Sequence, residues 1–291
     1  MSRLHPIIAV TGSSGAGTSD AKTAFQKIFR REGINAAVIE GDCFHRYPRQ
    51  EMDAVVEDAR RRGRNITHFG PEGNLFEELE AVFSEYAGSG GGRRRYYIHN
   101  EAEAAEHHSP PGSLTPWEPL PADTDLLFYE GLHGGLVTDS VDVARHVDLL
   151  IGVVPIINLE WIQKIHRDKA VRGYTAEGAT NLILDRMHDY VHYITPQFSR
   201  TDVNFQRVPI VDTSNPFAAD SIPPDDQSFT VIHIRDPEKL DVDYVQLQRD
   251  LEGTFLSAPD TLVVPGSKRI RSMQLLLAPA VQRLMQARSA G

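Results

Sequence analysis

Residues 10–20, VTGSSGAGTSD, have the composition of a loop that binds phosphate groups. In the loop pattern GxxxxGK[ST], glycines allow backbone N–H groups to surround the phosphates, a Lys reaches the outer phosphates and a hydroxyl holds Mg²⁺. Gly12, Gly17 and Ser19 fit this pattern, whereas Thr18 stands at the Lys position. Thr18 can add a hydroxyl contact but no charge. A phosphate-binding role therefore requires a cation from another part of the chain.

The alternative interpretation of this stretch is an ordinary Gly- and Ser-rich turn between a strand and a helix. Its position straight after the first predicted strand favours phosphate binding, because backbone amides and a helix N-terminus then face the anion. We therefore predict that the loop contacts the phosphates of a ligand, with Ser19 also on Mg²⁺. The predicted loop contacts are Gly12, Ser13, Ser14, Gly15, Ala16, Gly17, Thr18 and Ser19.

Two acidic residues follow apolar runs, where a parallel sheet places its ligands. Asp42 lies close to His45 and Arg49 in EGDCFHRYPR, a setting that suits a base removing a proton from an alcohol while cations hold a phosphate. The alternative is a turn Asp that caps the next helix. Glu130 closes the run LLFYEG, where kinase folds place a metal-facing carboxylate. For Glu130 the alternative is a solvated residue at a strand end.

The segment 158–175, NLEWIQKIHRDKAVRGYT, is predicted as a helix with its apolar residues toward the core. One face carries charged residues at intervals of four, with one further cation beside them. These residues are Lys164, Arg167, Asp168 and Arg172. The alternative is a solvated helix face. Because the helix starts just beyond the fourth predicted strand, we expect this face to supply the charge that Thr18 lacks; Lys22 is a competing candidate further along the first helix.

Seven apolar runs of β-forming residues predict the strands that position these groups. They are residues 7–10, 36–40, 126–129, 149–154, 207–211, 229–234 and 261–264, and residues 273–285 form a closing amphipathic helix. The third and fourth runs are apolar throughout, as in a parallel sheet covered on both faces. Ligands bind beyond the C-terminal ends of such strands. We therefore expect the loop and both carboxylates to meet at one crevice of an α/β fold.

The polar stretch between the second and third strands contains AGSGGGRRR at 87–95 and SPPGSLTPWEPLP at 109–121. Segments so rich in Gly and Pro are predicted as loops, and long loops over a sheet edge form lids or substrate walls. Nothing in the chain has the composition of a linker. We therefore predict a single domain over residues 1–291.

The charge balance disfavours several classes of partner. The chain has 30 Lys and Arg residues against 40 Asp and Glu, a formal net charge of -10, which argues against nucleic acid and anionic membranes as partners. Its apolar runs are too short for a signal peptide or a membrane span, so we expect a cytoplasmic protein. The single cysteine, Cys43, cannot form an internal disulfide. His188 and His192 lack the HExxH pattern of a zinc site and are predicted as surface or packing residues.

Long blocks of the sequence resemble the bacterial type of phosphoribulokinase, including the phosphoribulokinase-like branch found outside the Calvin cycle. The blocks are TGSSGAGTS, EGDCFHRYPR, YYIH, LLFYEGLHGG, GVVPIINLEWIQKIHRDKAVRGY and QRVPIVDTSNPF. The phosphoribulokinase-like branch is resembled at least as well by three stretches, HRYPRQEMD, FGPEGN and TPWEPLP. The family also carries Thr at the usual Lys position of its loop. The resemblance implies a P-loop kinase fold, with a mostly parallel mixed sheet flanked by helices, like that of nucleoside monophosphate kinases.

The resemblance further implies transfer of the γ-phosphoryl group of ATP, with Mg²⁺, to O1 of ribulose 5-phosphate, giving ribulose 1,5-bisphosphate. By position, Asp42 matches the catalytic base, Asp168 a further catalytic acid and Glu130 a carboxylate associated with Mg²⁺. The residues that match sugar-phosphate contacts are His45, Arg49 and Lys164, with Tyr97 and His99 nearby. Two phosphate-facing arginines are matched by Arg167 and Arg172. We place Lys164 and Arg167 also in the chemical step, and Arg172 on ATP.

Bacterial members of the family are typically homo-oligomers, octamers in the best-known cases, so we expect an octamer or another assembly built from dimers. Some members are activated by NADH through arginines at an interface. Arg31 matches one of these positions, whereas His233 stands where another arginine is expected. The sequence therefore leaves NADH open as an effector and does not predict it.

Two other functions share parts of this pattern. A uridine kinase relative, or a kinase of another small alcohol, would have the loop, the acid after the second strand and the YEG motif. It would need an aromatic pocket for a base instead of cations around a sugar phosphate. A nucleotide-binding regulator without catalysis would not require the three carboxylates Asp42, Glu130 and Asp168. We therefore predict a kinase of ribulose 5-phosphate.

Overall fold

The computed structural model describes residues 4–13, 15–172 and 175–289, without the side chains of Asp168, Val171 and Arg172. Eight strands of these residues form one sheet, and two short strands pair separately. The strands are β1 (Ile7–Gly12), β2 (Ala36–Glu40), β3 (Arg93–Arg94), β4 (Glu118–Pro119), β5 (Leu126–Gly131), β6 (Leu149–Val154), β7 (Val203–Pro209), β8 (Ser228–Ile234), β9 (Phe255–Ala258) and β10 (Thr261–Pro265). Their order in the large sheet is β2-β5-β1-β6-β7-β8-β10-β9.

The large sheet is parallel from β2 to β7 and antiparallel from β7 to β9. The central strands are buried along almost their whole length, which explains their uninterrupted apolar sequences. The predicted mostly parallel mixed sheet is therefore confirmed. The antiparallel part adds the C-terminal third of the chain to the same sheet.

Ten helices lie around the sheet in the described residues. They are α1 (Thr18–Glu32), α2 (Arg49–Arg61), α3 (Phe76–Ser89), α4 (Glu101–His107), α5 (Ile157–Arg172), α6 (Ala176–Asp185), α7 (Met187–Asp189), α8 (Pro237–Leu240), α9 (Tyr244–Asp250) and α10 (Arg269–Ser289). No helix among these residues is both long and apolar enough to cross a membrane.

The two faces of the sheet are covered by different helices, because successive side chains of a strand point to opposite faces. Val10 of β1 packs in one core cluster with Phe25 of α1 and Leu277 of α10. The preceding residue, Ala9, packs in a second cluster with Phe83 of α3. α1 therefore lies on the same face of the sheet as the C-terminal helix α10. The other face is covered by the insertion, which is the segment 41–125 between β2 and β5.

The predicted strands and loops agree with the structure except in three places. The strand predicted at 207–211 is β7, which begins earlier, at Val203, because its polar and apolar residues alternate instead of forming a continuous apolar run. The edge strand β9, which is mostly exposed, was not predicted. The loops predicted at 87–95 and 109–121 are partly wrong, since the first contains the end of α3, and the strands β3 and β4 pair between the two segments.

The C-terminal ends of the parallel strands meet at one edge, where two glycines allow close approach. A Cβ atom on Gly41, just after β2, would lie 2.9 Å from Cα of Gly131 at the end of β5. Side chains at either position would push these strand ends apart. The contact brings the residues that follow β2 and those that end β5 to the same crevice as the loop after β1.

Candidate active site

The loop between β1 and α1 has a backbone shape that favours glycine at two positions. Gly15 and Gly17 have φ of +111° and +100°, in the left-handed region. Gly12 is restricted by space instead, since a Cβ atom there would lie 2.8 Å from the carbonyl oxygen of Val153 on β6. The loop therefore presents backbone groups to its surroundings and leads directly into the N-terminus of α1.

Thr18, at the position usually held by Lys, hydrogen-bonds through its side chain to the carboxylate of Glu130. Burial raises the pKa of Glu130, and this bond offsets only part of the effect, so the net pKa lies above its usual value. Lys22, the competing source of charge, forms an ion pair with Glu40 at the end of β2. The loop itself thus holds a hydroxyl–carboxylate pair where a lysine would stand.

A cavity of about 400 Å³ opens beside the loop and collects cations from three other elements. α5 contributes Lys164 and Arg167, β7 contributes Arg207, and the start of α10 contributes Arg269. Lys164 is buried, with 6% of its surface exposed. A cation in such surroundings attracts an anion more strongly than one in bulk water. The structure therefore brings two predicted cations of α5 to the loop and adds two arginines that sequence analysis missed.

Arg207 connects the sheet with the loop. Its Nε donates to the hydroxyl of Ser228 at 3.1 Å, and its Nη2 lies 3.2 Å from Oδ1 of Asp225. With its amide nitrogen toward the Gly15 carbonyl, the Gln163 side chain accepts from Nη1 of Arg207 at 3.2 Å. A single arginine within a strand has no periodic signature, so only its place at the start of the run RVPIV could have drawn attention to it.

Asp42 lies in the 3₁₀ turn Gly41–Phe44 that follows β2, between two histidines. Its Oδ1 is 3.3 Å from Nε2 of His45, and its Oδ2 is 3.5 Å from Nε2 of His99. Burial by itself raises the pKa of Asp42, but the charge and hydrogen bond of His45 and the charge of His99 hold it below its usual value. Asp42 is therefore ionised, and with 37% of its side chain exposed it can contact a ligand.

Asn74 orients His45, and no sequence pattern pointed to it. Nδ2 of Asn74 donates to the carbonyls of His68 and Gly70 at 2.9 and 2.8 Å. Its Oδ1 consequently faces Nδ1 of His45 at 3.0 Å and accepts a hydrogen bond from it. The other ring nitrogen faces Asp42, and a proton there completes an imidazolium. Burial lowers the pKa of His45, but the charge and hydrogen bond of Asp42 and the hydrogen bond of Asn74 together raise it more, so that the net pKa lies above its usual value.

The other predicted sugar-phosphate residues lie around this ion pair. The ring of Tyr97 has its centroid 5.5 Å from that of His45 and 5.0 Å from that of His99. Arg49 is the first residue of α2 and is exposed, with its side chain along Gly112 of the insertion. The rings of Tyr97 and His99 thus lie beside the ion pair, whereas Arg49 lies along Gly112 at the start of α2.

Lys164 reaches both sides of the crevice. It lines the cavity beside the loop, and its charge also acts on His68, whose ring centroid is 5.3 Å from that of His45. Burial and the charge of Arg186 are the main causes that lower the pKa of His68 to about 3, and Lys164 adds to them. His68 is therefore a neutral residue, and the charge of Lys164 acts both on the cavity beside the loop and on the Asp42 side.

The turn that carries Asp42 is held from the insertion by Arg95. Nε of Arg95 donates to the carbonyl of Cys43 at 2.8 Å, and its Nη2 donates to the carbonyl of His45 at 2.6 Å. The guanidinium also stacks on the ring of Trp117, 4.6 Å from its centroid. Burial raises the pKa of the Cys43 thiol to about 12, so this side chain is an uncharged packing group beneath the turn.

Three predicted site residues lie outside the described part of the structure. They are Ser14 in the loop and the side chains of Asp168 and Arg172 on α5. Within the described residues, no group of three or more His, Cys, Asp or Glu side chains could hold a metal ion by itself. His188 and His192 stack on each other, with ring centroids 4.2 Å apart.

A glycine loop after the first strand, cations gathered beside it and a carboxylate after the neighbouring strand are the parts of a P-loop phosphotransferase. Comparison with known proteins leads to the same class. A family model described as "Phosphoribulokinase / Uridine kinase family" matches residues 7–214. The chain belongs to this family.

Its similarity to individual members extends over nearly the whole chain. "Phosphoribulokinase, chromosomal" of Cupriavidus necator is 57% identical over 289 residues, covering 99% of this chain and 98% of that protein. "Probable phosphoribulokinase" of Escherichia coli K12 is 56% identical over 288 residues, covering 99% of both chains. The solved structure of phosphoribulokinase from Rhodobacter spheroides, 49% identical, matches with a TM-score of 0.91 over 99% of this chain and 100% of that one.

Proposed function

We propose that this protein is an ATP-dependent phosphoribulokinase. It transfers the γ-phosphoryl group of ATP to O1 of ribulose 5-phosphate and yields ribulose 1,5-bisphosphate and ADP. The observation that carries the proposal is an ionised Asp42, held between His45 and His99, at the same sheet edge as a cation-lined glycine loop. Relatives named phosphoribulokinase, 52–57% identical over nearly the whole chain, support this choice of substrates.

Asp42 acts as the general base in this proposal. It accepts the proton of the O1 hydroxyl as the new bond from O1 to phosphorus forms and the bond from phosphorus to the bridging oxygen of ADP breaks. A loose transition state has little bond formation to the attacking oxygen, so positioning matters more than base strength. The low pKa of Asp42 therefore suits the role, because the carboxylate is ready to accept a proton at any physiological pH.

The sugar phosphate binds beside the base, on the cationic and aromatic groups of the insertion side. The His45 imidazolium gives a charge-assisted hydrogen bond to an anion, and Lys164 adds a second buried charge. The proposed contacts are His45, Arg49, Tyr97, His99 and Lys164. None of these groups forms the flat apolar slot that a nucleoside base would need.

The triphosphate of ATP lies along the loop and under α5. Backbone amides and the N-terminus of α1 hold the phosphates, while Lys164 and Arg167 supply the cationic charge over the cavity. The loop contacts proposed are Gly12, Ser13, Ser14, Gly15, Ala16, Gly17, Thr18 and Ser19, with Arg172 also on ATP and Asp168 as a further catalytic acid. In such a site the thiol Cys43 has no chemical role.

The residues near the loop fit Mg²⁺ bound with ATP. Mg²⁺ keeps several waters and takes few protein oxygens beside those of phosphates, so a hydroxyl and one carboxylate are a sufficient donor set. Ser19 and Glu130 would hold it. When bound, Mg²⁺ neutralises charge that develops on the transferred group. Glu130 is partly buried against Thr18, which orients its carboxylate toward the loop.

The test of the proposal is a direct comparison of two acceptors. Purified protein with Mg²⁺ and ATP is given ribulose 5-phosphate or uridine, ADP formation is followed, and the product is identified by mass spectrometry. We expect ribulose 1,5-bisphosphate from the first acceptor and no turnover of the second. Turnover of uridine alone would show a uridine kinase, and nucleotide binding without turnover of any acceptor would show a non-catalytic regulator.

We also propose a cytoplasmic homo-oligomer, octameric or built from dimers, whose residues 1–291 form one domain. One sheet that contains strands from both ends of the chain supports the single domain. Light scattering of the purified protein measures the oligomer size. NADH remains an effector to test: Arg31 pairs with the neighbouring Glu32, and His233 with Asp260, both on the surface.

A further inference from the structure

Asp20 introduces a negative charge at the place where phosphates are expected to bind. It lies in the first turn of α1 and lines the same cavity as the loop. A Cβ atom on Gly17 would lie 3.5 Å from its Oδ2, so the carboxylate stands directly beside the loop. An acidic residue there stabilises the helix, but a bound polyphosphate needs the same helix N-terminus. Without compensation, Asp20 would repel the nucleotide.

The compensating charge comes from Arg269, at the start of the C-terminal helix. Its Nη2 lies 2.5 Å from Oδ2 of Asp20, and its Nη1 lies 3.2 Å from Oδ1 of Asp225. The side chain of Arg269 is 15% exposed, so the contact is shielded from solvent and screened little by salt. The guanidinium therefore holds two carboxylates, of which one belongs to the phosphate-binding helix.

The pair belongs to a chain of four charges, of which Asp20, Arg207 and Arg269 line the cavity and Asp225 joins the two arginines. Oδ1 of Asp225 is shared with Nη2 of Arg207, also at 3.2 Å. Burial, and then the nearby charge of Arg269, lower the pKa of Arg207. Two cations and two anions alternate in this chain, from Asp20 to Arg207. Removal of Arg269 would leave one cation against two carboxylates within this chain, and Asp20 beside the phosphate loop would lose its ion-pair partner.

We infer that Arg269 is a positioning residue for the nucleotide, which neutralises Asp20 and so keeps the end of α1 open to a polyphosphate. The inference rests on the proposed function, since it takes the loop to be the site of the ATP phosphates. This positioning role and a direct contact of Arg269 with ATP predict different results for one double variant. If Arg269 acts through Asp20, loss of Arg269 is harmless once the charge of Asp20 is also lost.

The experiment is a double-mutant cycle on nucleotide affinity, with R269Q, D20N and the double variant. Calorimetry measures binding of ATP with Mg²⁺ and, as a probe of the phosphate site alone, inorganic tripolyphosphate. We expect R269Q to weaken both ligands about tenfold, the scale of one uncompensated charge within about 10 Å at an effective dielectric constant of about 20. The double variant should bind within about threefold of the wild type, and D20N should bind more tightly than the wild type.

The matched control is R283Q, on the same helix. Arg283 pairs with Asp241 at 3.4 Å, outside the cavity, and its loss should leave affinity unchanged. A double variant as weak as R269Q would overturn the inference, and so would unchanged binding by R269Q. If R269Q does not fold, D20N decides, because weaker binding by that variant contradicts repulsion. A wild type that binds tripolyphosphate but not ATP rejects the proposed function alone, whereas binding of neither rejects both.

Discussion

The two sides of the crevice are built in different ways. The phosphate side consists of a backbone loop and cations from α5, β7 and α10, which are far apart in the chain. The Asp42 side comes mainly from the turn after β2 and from residues 95–99 of the insertion, which are close together in the structure through short contacts. The phosphate side therefore concentrates positive charge, whereas the contacts on the Asp42 side determine whether Asp42 and its histidine neighbours are protonated.

This difference indicates how each side should respond to mutation. On the phosphate side several cations contribute to nucleotide binding. Substitution of one of them should therefore lower the affinity for ATP more than it lowers kcat. On the Asp42 side a single carboxylate is the proposed base, and its partners set its position and charge. Substitutions there should change kcat more than the KM of ATP.

The largest effect is expected from loss of the proposed base. Replacement of Asp42 by Ala should lower kcat by about two to four orders of magnitude, the usual contribution of a positioned general base. The KM of ATP should stay nearly unchanged, because Asp42 lies on the other side of the crevice. Steady-state kinetics with ribulose 5-phosphate measure both. Unchanged turnover would remove Asp42 from the mechanism.

Lys164 tests whether the two sides are separate, because it reaches both. Replacement by Ala should raise the KM of ribulose 5-phosphate about 10- to 100-fold, the scale for loss of a hydrogen bond to a charged group. The KM of ATP should rise as well, since Lys164 lines the cavity beside the loop. Arg167→Ala is the comparison variant and should affect ATP more than the sugar phosphate. A normal KM of ribulose 5-phosphate in K164A would contradict its assignment.

Arg95 tests whether the insertion positions the base. Its replacement by Ala removes two hydrogen bonds to the turn around Asp42, and kcat should fall by up to about 30-fold, as expected when each bond contributes about 1 kcal/mol to holding the turn. Arg93 is the control, because it stacks on the same Trp117 ring, 5.1 Å from its centroid, but pairs with Glu78. If R93A and R95A lose equal activity, Trp117 packing and not the turn explains the effect.

The smallest effect is expected from pH. His45 is cationic below its raised pKa, so the sugar phosphate binds well there, and its KM should rise several-fold as pH climbs through that pKa. Asp42, with a lowered pKa, stays ionised over the same range, so kcat should not fall with it. The measurement belongs between about pH 7 and pH 9, where the phosphate, with a second pKa of about 6, is already a dianion. In H45Q the KM should be higher and independent of pH.

Much of the fold could be predicted because its signals are local. Buried parallel strands need uninterrupted apolar runs, and this requirement identified β1, β2, β5 and β6 within a residue or two. The predicted bounds of β7 were shifted along the chain because polar and apolar residues alternate in this strand. The helix α3 was not predicted, although its buried residues recur at helical spacing. Continuous apolar runs thus predict strands from the sequence alone, whereas the structure formed by a weaker apolar pattern depends on the residues that pack against it.

The site was predictable only where position along a strand carries meaning. Asp42 and Glu130 stand at strand ends, which all parallel sheets bring to one edge. Asn74 and Arg269 do not stand at such positions, and each works through a partner that is distant in sequence. Arg207 lies near the C-terminal end of the parallel strand β7, but the predicted strand began at this residue and so placed it at the wrong end. A hydrogen bond or ion pair between residues far apart in the chain produces no periodic pattern in the sequence, so sequence analysis cannot predict it.

The sequence by itself determined the glycine loop, the order of the parallel strands along the chain, and the carboxylates that follow them, because backbone conformation and burial act on neighbouring residues. The tertiary structure alone decided which cations lie beside the loop that lacks a lysine and which groups set the charge of Asp42. Electrostatic interactions depend on distance in space, and only the folded chain brings α5, β7 and α10 beside the loop.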